Sequence, residues 1–218
     1  KSPLITFILG TRPEAIKLAP LINLFKENSF FEIRVVITGQ HREMVYEVLN
    51  IFEIKPDIDL KIMRENQTLN KLNSIILESL EIEFDKFLPD IVIVQGDTTT
   101  AYAAAMASFY KKIKIAHVEA GLRTENLYSP FPEEANRRLI SQISDFHFAP
   151  TKLAEENLIK SKVPGKVFLT GNTVIDALLY IANKNKIDED RYQNKTQKII
   201  LVTIHRRENW GANIEDVC

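Results

Sequence analysis

Two glutamates in the stretch 117–138 are spaced so that they could do acid–base chemistry together. Glu119 directly follows a short apolar run at 113–118 that is typical of a buried strand. Glu133 follows Pro132 and falls in the first turn of a predicted helix. A strand end and a helix start can face one crevice of an open α/β sheet, where such sheets bind ligands. The alternative is that Glu133 only complements the helix dipole, and this stretch alone favours that alternative.

A third carboxylate, Asp97, lies in a Gly-Asp turn after another apolar run at 91–94. Consecutive apolar residues of this kind are typical of a strand that is buried on both faces. The Asp97 side chain could act as an acid or a base, or it could cap the alanine-rich helix predicted over 101–110. The local sequence favours the cap. The hydroxyls at 98–100 could bind a sugar or a phosphate, although threonine is also a common cap.

Two cations follow the first predicted strand, at 4–9. Arg12 and Lys17 lie in the first turns of the next predicted helix. A helix amino end binds anions, so these cations could hold a diphosphate, or they could be ordinary solvated charges. Gly10 is the only glycine of this loop, which lacks the glycine spacing of a dinucleotide or phosphate loop. We therefore expect no Rossmann dinucleotide cofactor.

Histidines follow two further predicted strands. His205 comes directly after the apolar run 199–204 and precedes Arg206. We expect its imidazole at the carboxyl edge of a second sheet, where it would face a crevice between domains. Gln40 and His41 follow the second strand of the chain in the same way. Together, these strand ends carry groups that suit a sugar and a phosphate.

The elements that must position these groups alternate between strand and helix along the chain. This alternation predicts an α/β fold with a mostly parallel, doubly wound, Rossmann-like sheet. We expect an N-terminal domain over residues 1–172. Residues 173–218 are expected to form a connecting helix, a linker and the incomplete start of a second domain. The linker assignment rests on 183–198, which is rich in Lys, Asn and Asp and has no apolar periodicity.

Composition excludes several classes of function. The 218 residues carry 28 basic and 29 acidic side chains, so no basic field indicates binding to nucleic acid or to anionic lipid. The one cysteine, Cys218, cannot form an internal disulfide and fits a reducing compartment. No apolar run approaches the ~20 residues that a membrane-spanning helix needs. We expect a cytoplasmic protein that forms a homodimer and binds neither nucleic acid nor a membrane.

Seven motifs make the chain resemble a known family. They are GTRPEAIKLAP, GQHREM, QGDTTTAYAAA, HVEAGLRT, YSPFPEEANRR, TGNTVIDAL and HRREN. In this order and at comparable spacing they closely resemble the bacterial UDP-N-acetylglucosamine 2-epimerase family, of the non-hydrolysing type. The resemblance spans essentially the whole chain. It implies two Rossmann-like domains arranged as in the GT-B glycosyltransferases, with a nucleotide sugar in the cleft.

The resemblance also implies a reaction. The family interconverts UDP-GlcNAc and UDP-ManNAc without NAD or a metal, so no cofactor is expected. The implied steps are anti elimination of UDP to a 2-acetamidoglucal, return of the C2 proton on the other face, and re-addition of UDP. The product would supply ManNAc units for cell-surface polysaccharide.

By resemblance, the acidic residues of the family match Asp97, Glu119 and Glu133. The resemblance leaves open which carboxylate removes the C2 proton and which returns it. Departing diphosphate builds negative charge that cationic groups must stabilise in the transition state. The residues that match this role are His205, Arg12 and Lys17.

The remaining matches concern substrate contacts. Gln40, His41 and Arg206 are expected to bind the nucleotide sugar. Some members of the family bind a second UDP-GlcNAc as an activator, and Gln40 matches that pocket. Glu43 and Asn66, however, stand where those members have Gln and Arg, which argues against activation here.

Other functions stay open at the level of sequence. A hydrolysing relative would release free ManNAc and UDP, and a GT-B glycosyltransferase would pass the sugar to an acceptor. The chain could also bind a nucleotide sugar without turnover. The second domain shows one strand, its loop and part of a helix, which cannot cover both faces of a parallel sheet. We therefore expect the 218-residue chain to be inactive by itself.

Overall fold

Strands with apolar side chains on both faces require helices on both faces of their sheet, and this protein satisfies that requirement. The computed structural model describes residues 2–40, 42–64 and 66–184. Within them the strands are β1 (Leu4–Leu9), β2 (Glu32–Ile37), β3 (Ile58–Asp59), β4 (Ile91–Gln95), β5 (Lys114–Val118), β6 (Phe146–Ala149) and β7 (Lys166–Leu169). The helices are α1 (Arg12–Lys26), α2 (Arg42–Ile51), α3 (Leu69–Lys86), α4 (Thr99–Tyr110), α5 (Glu133–Ile143), α6 (Lys152–Lys160) and α7 (Thr173–Lys184).

All of these strands belong to one parallel sheet with the order β3-β2-β1-β4-β5-β6-β7. The chain first builds outward from β1 to β3 and then returns to lay β4 on the other side of β1. The strand order therefore reverses between β1 and β4, and this switch point is where such sheets bind ligands. The predicted α/β fold with a doubly wound parallel sheet is confirmed.

Two apolar layers cover the two faces of the sheet. On one face, Leu18 of α1 and Leu49 of α2 pack with Phe7, and all three side chains are fully buried. On the other face, Ile76 of α3 and Ile140 of α5 pack in the same cluster as the alanines of α4. Burying each large side chain contributes about 1.5–3 kcal/mol, so these layers dominate the stability of the sheet. The small side chains of α4 let its axis lie close to the strands.

The third strand is shorter than the sequence predicts. The apolar residues at 58, 60 and 62 predict a strand over 58–62, but β3 contains only Ile58 and Asp59. The backbone of Lys61 has a φ of 53°, which lies in the left-handed region and breaks the extended conformation. The amides of Leu60 and Ile62 still donate to the carbonyls of Ile37 and Thr38. The edge of the sheet thus continues as an irregular segment.

Helix α7 packs against α1 in the same unit as the sheet. The ring of Tyr180 stacks on Phe52 with ring centroids 4.6 Å apart. The domain boundary expected after residue 172 stays a prediction. The strand expected at 199–204 lies outside the described residues. None of the helices in the described part of the chain is long and apolar enough to cross a bilayer.

Candidate active site

A pocket of about 470 Å³ opens at the carboxyl edge of the sheet, at the switch point between β1 and β4. It is formed by the segments that follow β1, β2, β4 and β5 and by the start of α5. The side chains and backbone that line it belong to Thr11, Pro13, Lys17, Gln40, Leu69, Gln95, Gly96, Asp97, Thr98, Thr99, Glu119, Pro132 and Glu133. A groove of about 430 Å³ next to Arg123 and Arg138 has no carboxylate in its lining. The pocket at the strand ends, in contrast, is lined by three carboxylates.

The three carboxylates expected to do chemistry all line this pocket. Asp97 follows β4, Glu119 follows β5, and Glu133 is the first residue of α5. They come together because the carboxyl ends of neighbouring parallel strands share one edge, and because α5 begins above that edge. The convergence expected for Glu119 and Glu133 is thus present in the fold.

Glu119 is held from three directions. Nζ of Lys17 lies 2.7 Å from its Oε1 and 2.6 Å from its Oε2, and only 12% of the glutamate side chain is exposed. Nε2 of Gln95 also donates to Oε2, and Nδ2 of Asn172 donates to Oε1 at 3.1 Å. The backbone φ of Glu119 is 62°, in the left-handed region that non-glycine residues rarely adopt. Tertiary contacts therefore fix this carboxylate against a local conformational preference.

Asp97 forms an ion pair with a residue of α5. NH2 of Arg137 lies 2.5 Å from Oδ2 of Asp97. Burial raises the pKa of the Asp97 carboxyl, the Arg137 guanidinium opposes that rise, and the carboxylates of Glu133 and Glu119 add to it. The cap of α4 is Thr98, whose side chain accepts a hydrogen bond from the amide of Ala101. The capping role that the local sequence favoured for Asp97 is therefore wrong, and its carboxylate pairs with Arg137 at the pocket instead.

Glu133 is the least restrained of the three acids. Its Oε2 is buried and has no hydrogen-bond partner within residues 2–40, 42–64 and 66–184. The residue opens α5, whose amino end carries free N–H groups and a partial positive charge. A buried oxygen without a partner is costly, so it is suited to bind a polar group of a ligand.

His117 supports the floor of the pocket from inside the sheet. Its ring is fully buried, and Nε2 lies 2.7 Å from the carbonyl oxygen of Gly96. Burial lowers the pKa of His117 to about 3. The imidazole is therefore neutral and donates from Nε2 to that carbonyl.

Glu14 ties two of the loops together and is completely buried. Its Oε2 accepts hydrogen bonds from the backbone amides of Gly10, at 3.0 Å, and Thr11, at 2.6 Å. These bonds stabilise the first turn of α1. Its Oε1 accepts the hydroxyl of Thr98 at 2.7 Å. Burial raises the pKa of the Glu14 carboxyl. This carboxylate joins the loop after β1 to the loop after β4.

The residues expected to bind substrate are placed differently from one another. Lys17 and Gln40 both line the pocket. Oε1 of Gln40 accepts a hydrogen bond from the hydroxyl of Thr100 at 3.0 Å. Arg12 lies in the first turn of α1, is exposed, and is not part of the pocket lining. The expected site residues His41, His205 and Arg206 lie outside the described residues.

The profile of the UDP-N-acetylglucosamine 2-epimerase family matches residues 23–218. The chain belongs to this family. It is 50% identical over 227 residues to the UDP-N-acetylglucosamine 2-epimerase of Campylobacter jejuni, covering 98% of this chain and 59% of that protein. It is 47% identical over 221 residues to that of Escherichia coli, again covering 97% of this chain and 59% of that protein.

Solved structures of UDP-GlcNAc 2-epimerases superpose on the chain. The Neisseria meningitidis enzyme bound to UDP-GlcNAc has a TM-score of 0.90 and 49% identity, covering 98% of this chain and 60% of that one. The Methanocaldococcus jannaschii enzyme in complex with UDP-GlcNAc and UDP has a TM-score of 0.79 and 35% identity, covering 86% of this chain and 51% of that one. This epimerase-family chain thus spans somewhat more than half the length of its relatives.

Three residues of this epimerase-family chain contact the carboxylates but were not predicted as site residues. Gln95 and Asn172 hold Glu119, and Arg137 holds Asp97. One signal was available for Arg137, because it lies four positions after Glu133 and such residues share a helix face. Gln95 and Asn172 carry no such signal, since each reaches Glu119 from a different strand end.

Proposed function

We propose that this chain provides the sugar-binding, acid–base part of an enzyme that inverts C2 of UDP-GlcNAc to give UDP-ManNAc. The observation that carries the proposal is the convergence of Asp97, Glu119 and Glu133 on one pocket at the switch point. The family membership and the relatives that are bound to UDP-GlcNAc support it.

The chemistry explains why several carboxylates are needed. A base removes the C2 proton, the C–H electron pair forms the C1=C2 bond, and the C1–O bond to UDP breaks on the opposite face. A proton then returns to C2 from the other face while the β-phosphate oxygen adds back to C1. The C2 proton is poorly acidic, so the base must be aligned with the leaving group, and proton donors are needed on both faces.

The pocket lining is short of positive charge for a diphosphate. Among its described residues there are three carboxylates and one lysine, and Nζ of Lys17 is already paired with Glu119. Departing UDP must therefore be stabilised by cations from elsewhere in the protein. We propose His205, Arg206 and Arg12 for this role. Substituting His205 by Asn should slow elimination and weaken UDP binding together.

Product analysis in D₂O tests the proposed reaction. We expect deuterium at C2 of both nucleotide sugars and UDP-ManNAc as the product, measured by NMR and chromatography. Release of free ManNAc with UDP would identify a hydrolysing enzyme instead. Transfer of the sugar to an acceptor, with no exchange at C2, would identify a glycosyltransferase.

The same assay should be run on the 218-residue chain and on a full-length relative. We propose that the 218-residue chain alone binds UDP-GlcNAc weakly and does not epimerise it, because it spans only 59% of the length of the Campylobacter jejuni relative. Displacement of a reacting group by even ~1 Å can cost on the order of 10² in rate. Formation of UDP-ManNAc by the short chain at the rate of the full-length relative would contradict this.

A further inference from the structure

One guanidinium in the described part of the chain touches a carboxylate of the pocket directly, and the proposed chemistry gives it no role. NH2 of Arg137 lies 2.5 Å from Oδ2 of Asp97, and its side chain is only 12% exposed. An arginine keeps its charge at all ordinary pH values, so this contact places a permanent positive charge against Asp97.

Among the residues that the structure describes, the other charged groups that face Asp97 are acidic. Glu133 approaches from the start of α5, and Glu119 approaches from the end of β5. Lys17 of α1 lies beyond Glu119 and is paired with it. Two like charges and partial burial therefore oppose ionisation of Asp97, and Arg137 is the neighbouring charge that favours it.

A second carboxylate fixes Arg137. Glu134 is fully buried, and its Oε2 lies 3.4 Å from NH1 of Arg137. The same carboxylate accepts hydrogen bonds from the backbone amide of Thr124, at 3.0 Å, and from Nε of Arg138, at 2.6 Å. Nε of Arg137 is buried and has no hydrogen-bond partner among the residues that the structure describes. The guanidinium is thus held mainly through Asp97 on one side and Glu134 on the other.

From this geometry we propose that Arg137 is a positioning residue, which holds the Asp97 carboxylate ionised and oriented in the pocket, and that Glu134 fixes Arg137 in that place. The inference rests on the proposed function for its consequence in catalysis. The ion pair itself can be tested without any substrate.

The decisive measurement is the titration of Asp97 in the 218-residue chain, followed by the ¹³C shift of its side-chain carboxyl. Asp97→Asn assigns the signal. Arg137→Met should raise the midpoint of the Asp97 titration by at least about 1 pH unit. The reason is that the variant loses the positive charge that offsets the carboxylates of Glu119 and Glu133. Arg137→Lys should raise it less, because the charge is kept while the forked geometry is lost. Glu134→Gln should raise the Asp97 midpoint slightly, because Arg137 loses its ion pair with Glu134.

A matched control removes a cation that does not reach the pocket. Nζ of Lys86 pairs with Glu83 at 2.8 Å on the exposed face of α3, so Lys86→Met should leave the Asp97 midpoint unchanged. If Arg137 were only structural, Arg137→Met would lower the unfolding midpoint without moving the titration. A rise in the Asp97 midpoint of less than about 1 unit would overturn the proposal. Should Arg137→Met fail to fold, Arg137→Gln, which also removes the charge, decides by the same criterion.

Kinetics in a full-length relative give a separate readout. With the equivalent substitution of Arg137 by Lys, the acidic limb of the kcat profile should move to higher pH, because less of the aspartate is ionised at a given pH. A relative that shows no proton exchange at C2 would contradict the proposed reaction. It would not contradict the role of Arg137 at Asp97, because the Asp97 titration needs no turnover.

Discussion

Nε2 of His117 lies 2.7 Å from the carbonyl oxygen of Gly96, so a fully buried, neutral imidazole holds the turn that carries Asp97. His117 also lies two residues before Glu119, so one strand segment supports two corners of the pocket. The hydrogen bond survives only while the ring has an N–H at Nε2 and the strand keeps its register.

The first prediction concerns the pH dependence that His117 imposes on stability. Its pKa lies near 3 in the folded chain and near 6.5 in the unfolded chain, so the unfolded state takes up a proton that the folded state does not. The stability that its neutral form provides is present above pH 6.5 and is lost as the pH falls towards 3.

Replacing His117 by Gln keeps an N–H donor and removes the titration. The fall in unfolding free energy between pH 7 and pH 5 should therefore be smaller in the variant by about 2 kcal/mol. Urea unfolding at the two pH values measures this difference, and an equal fall in both proteins would contradict the prediction. Between pH 7 and pH 8 the two proteins should behave alike.

The second prediction concerns the ion pair between Lys17 and Glu119, whose side chains are 21% and 12% exposed. A pair that is mostly but not fully buried should have a coupling energy of about 1–3 kcal/mol, between the values for exposed and buried pairs. A double-mutant cycle with Lys17→Met, Glu119→Gln and the double variant measures it. Additive effects on unfolding free energy would show that the pair adds nothing to stability.

The third prediction concerns the roles of the carboxylates. In a full-length relative, the substitutions equivalent to Asp97→Asn, Glu119→Gln and Glu133→Gln should each lower kcat by roughly 10² or more, as loss of an acid–base group does. Glu125 is exposed in the loop before α5 and serves as a control, since Glu125→Gln should keep the rate. Near-normal rates with only a lower Tm would assign the three pocket acids a structural role.

The fourth prediction concerns the space around Gly10. A Cβ atom at this position would lie 2.3 Å from the hydroxyl oxygens of both Thr38 and Thr100. Those hydroxyls are buried and lie 3.1 Å from each other, so they have little room to move. Gly10→Ala should therefore lower the unfolding free energy by about 1–3 kcal/mol, as overpacking does. An unchanged unfolding midpoint would show that the hydroxyls relax freely.

The sequence by itself determined the class of the fold and the edge at which the pocket forms. Strands such as Leu4–Leu9 and Ile91–Gln95 are apolar except for Thr6 and Gln95, and such runs must be buried on both faces by helices. Since strand and helix alternate, the sheet had to be parallel, and the groups after each strand had to share one edge. Asp97, Glu119 and Glu133 could be placed together for this reason.

Only the tertiary structure decided which charges face one another. Local sequence favoured Asp97 as a helix cap, but Thr98 takes that place and Arg137 of α5 pairs with Asp97. Glu119 has a left-handed backbone, and Lys17, Gln95 and Asn172 converge on its carboxylate from three other segments. Contacts between segments far apart in the chain depend on the packing of the helices over the sheet, which periodicity and capping signals do not encode.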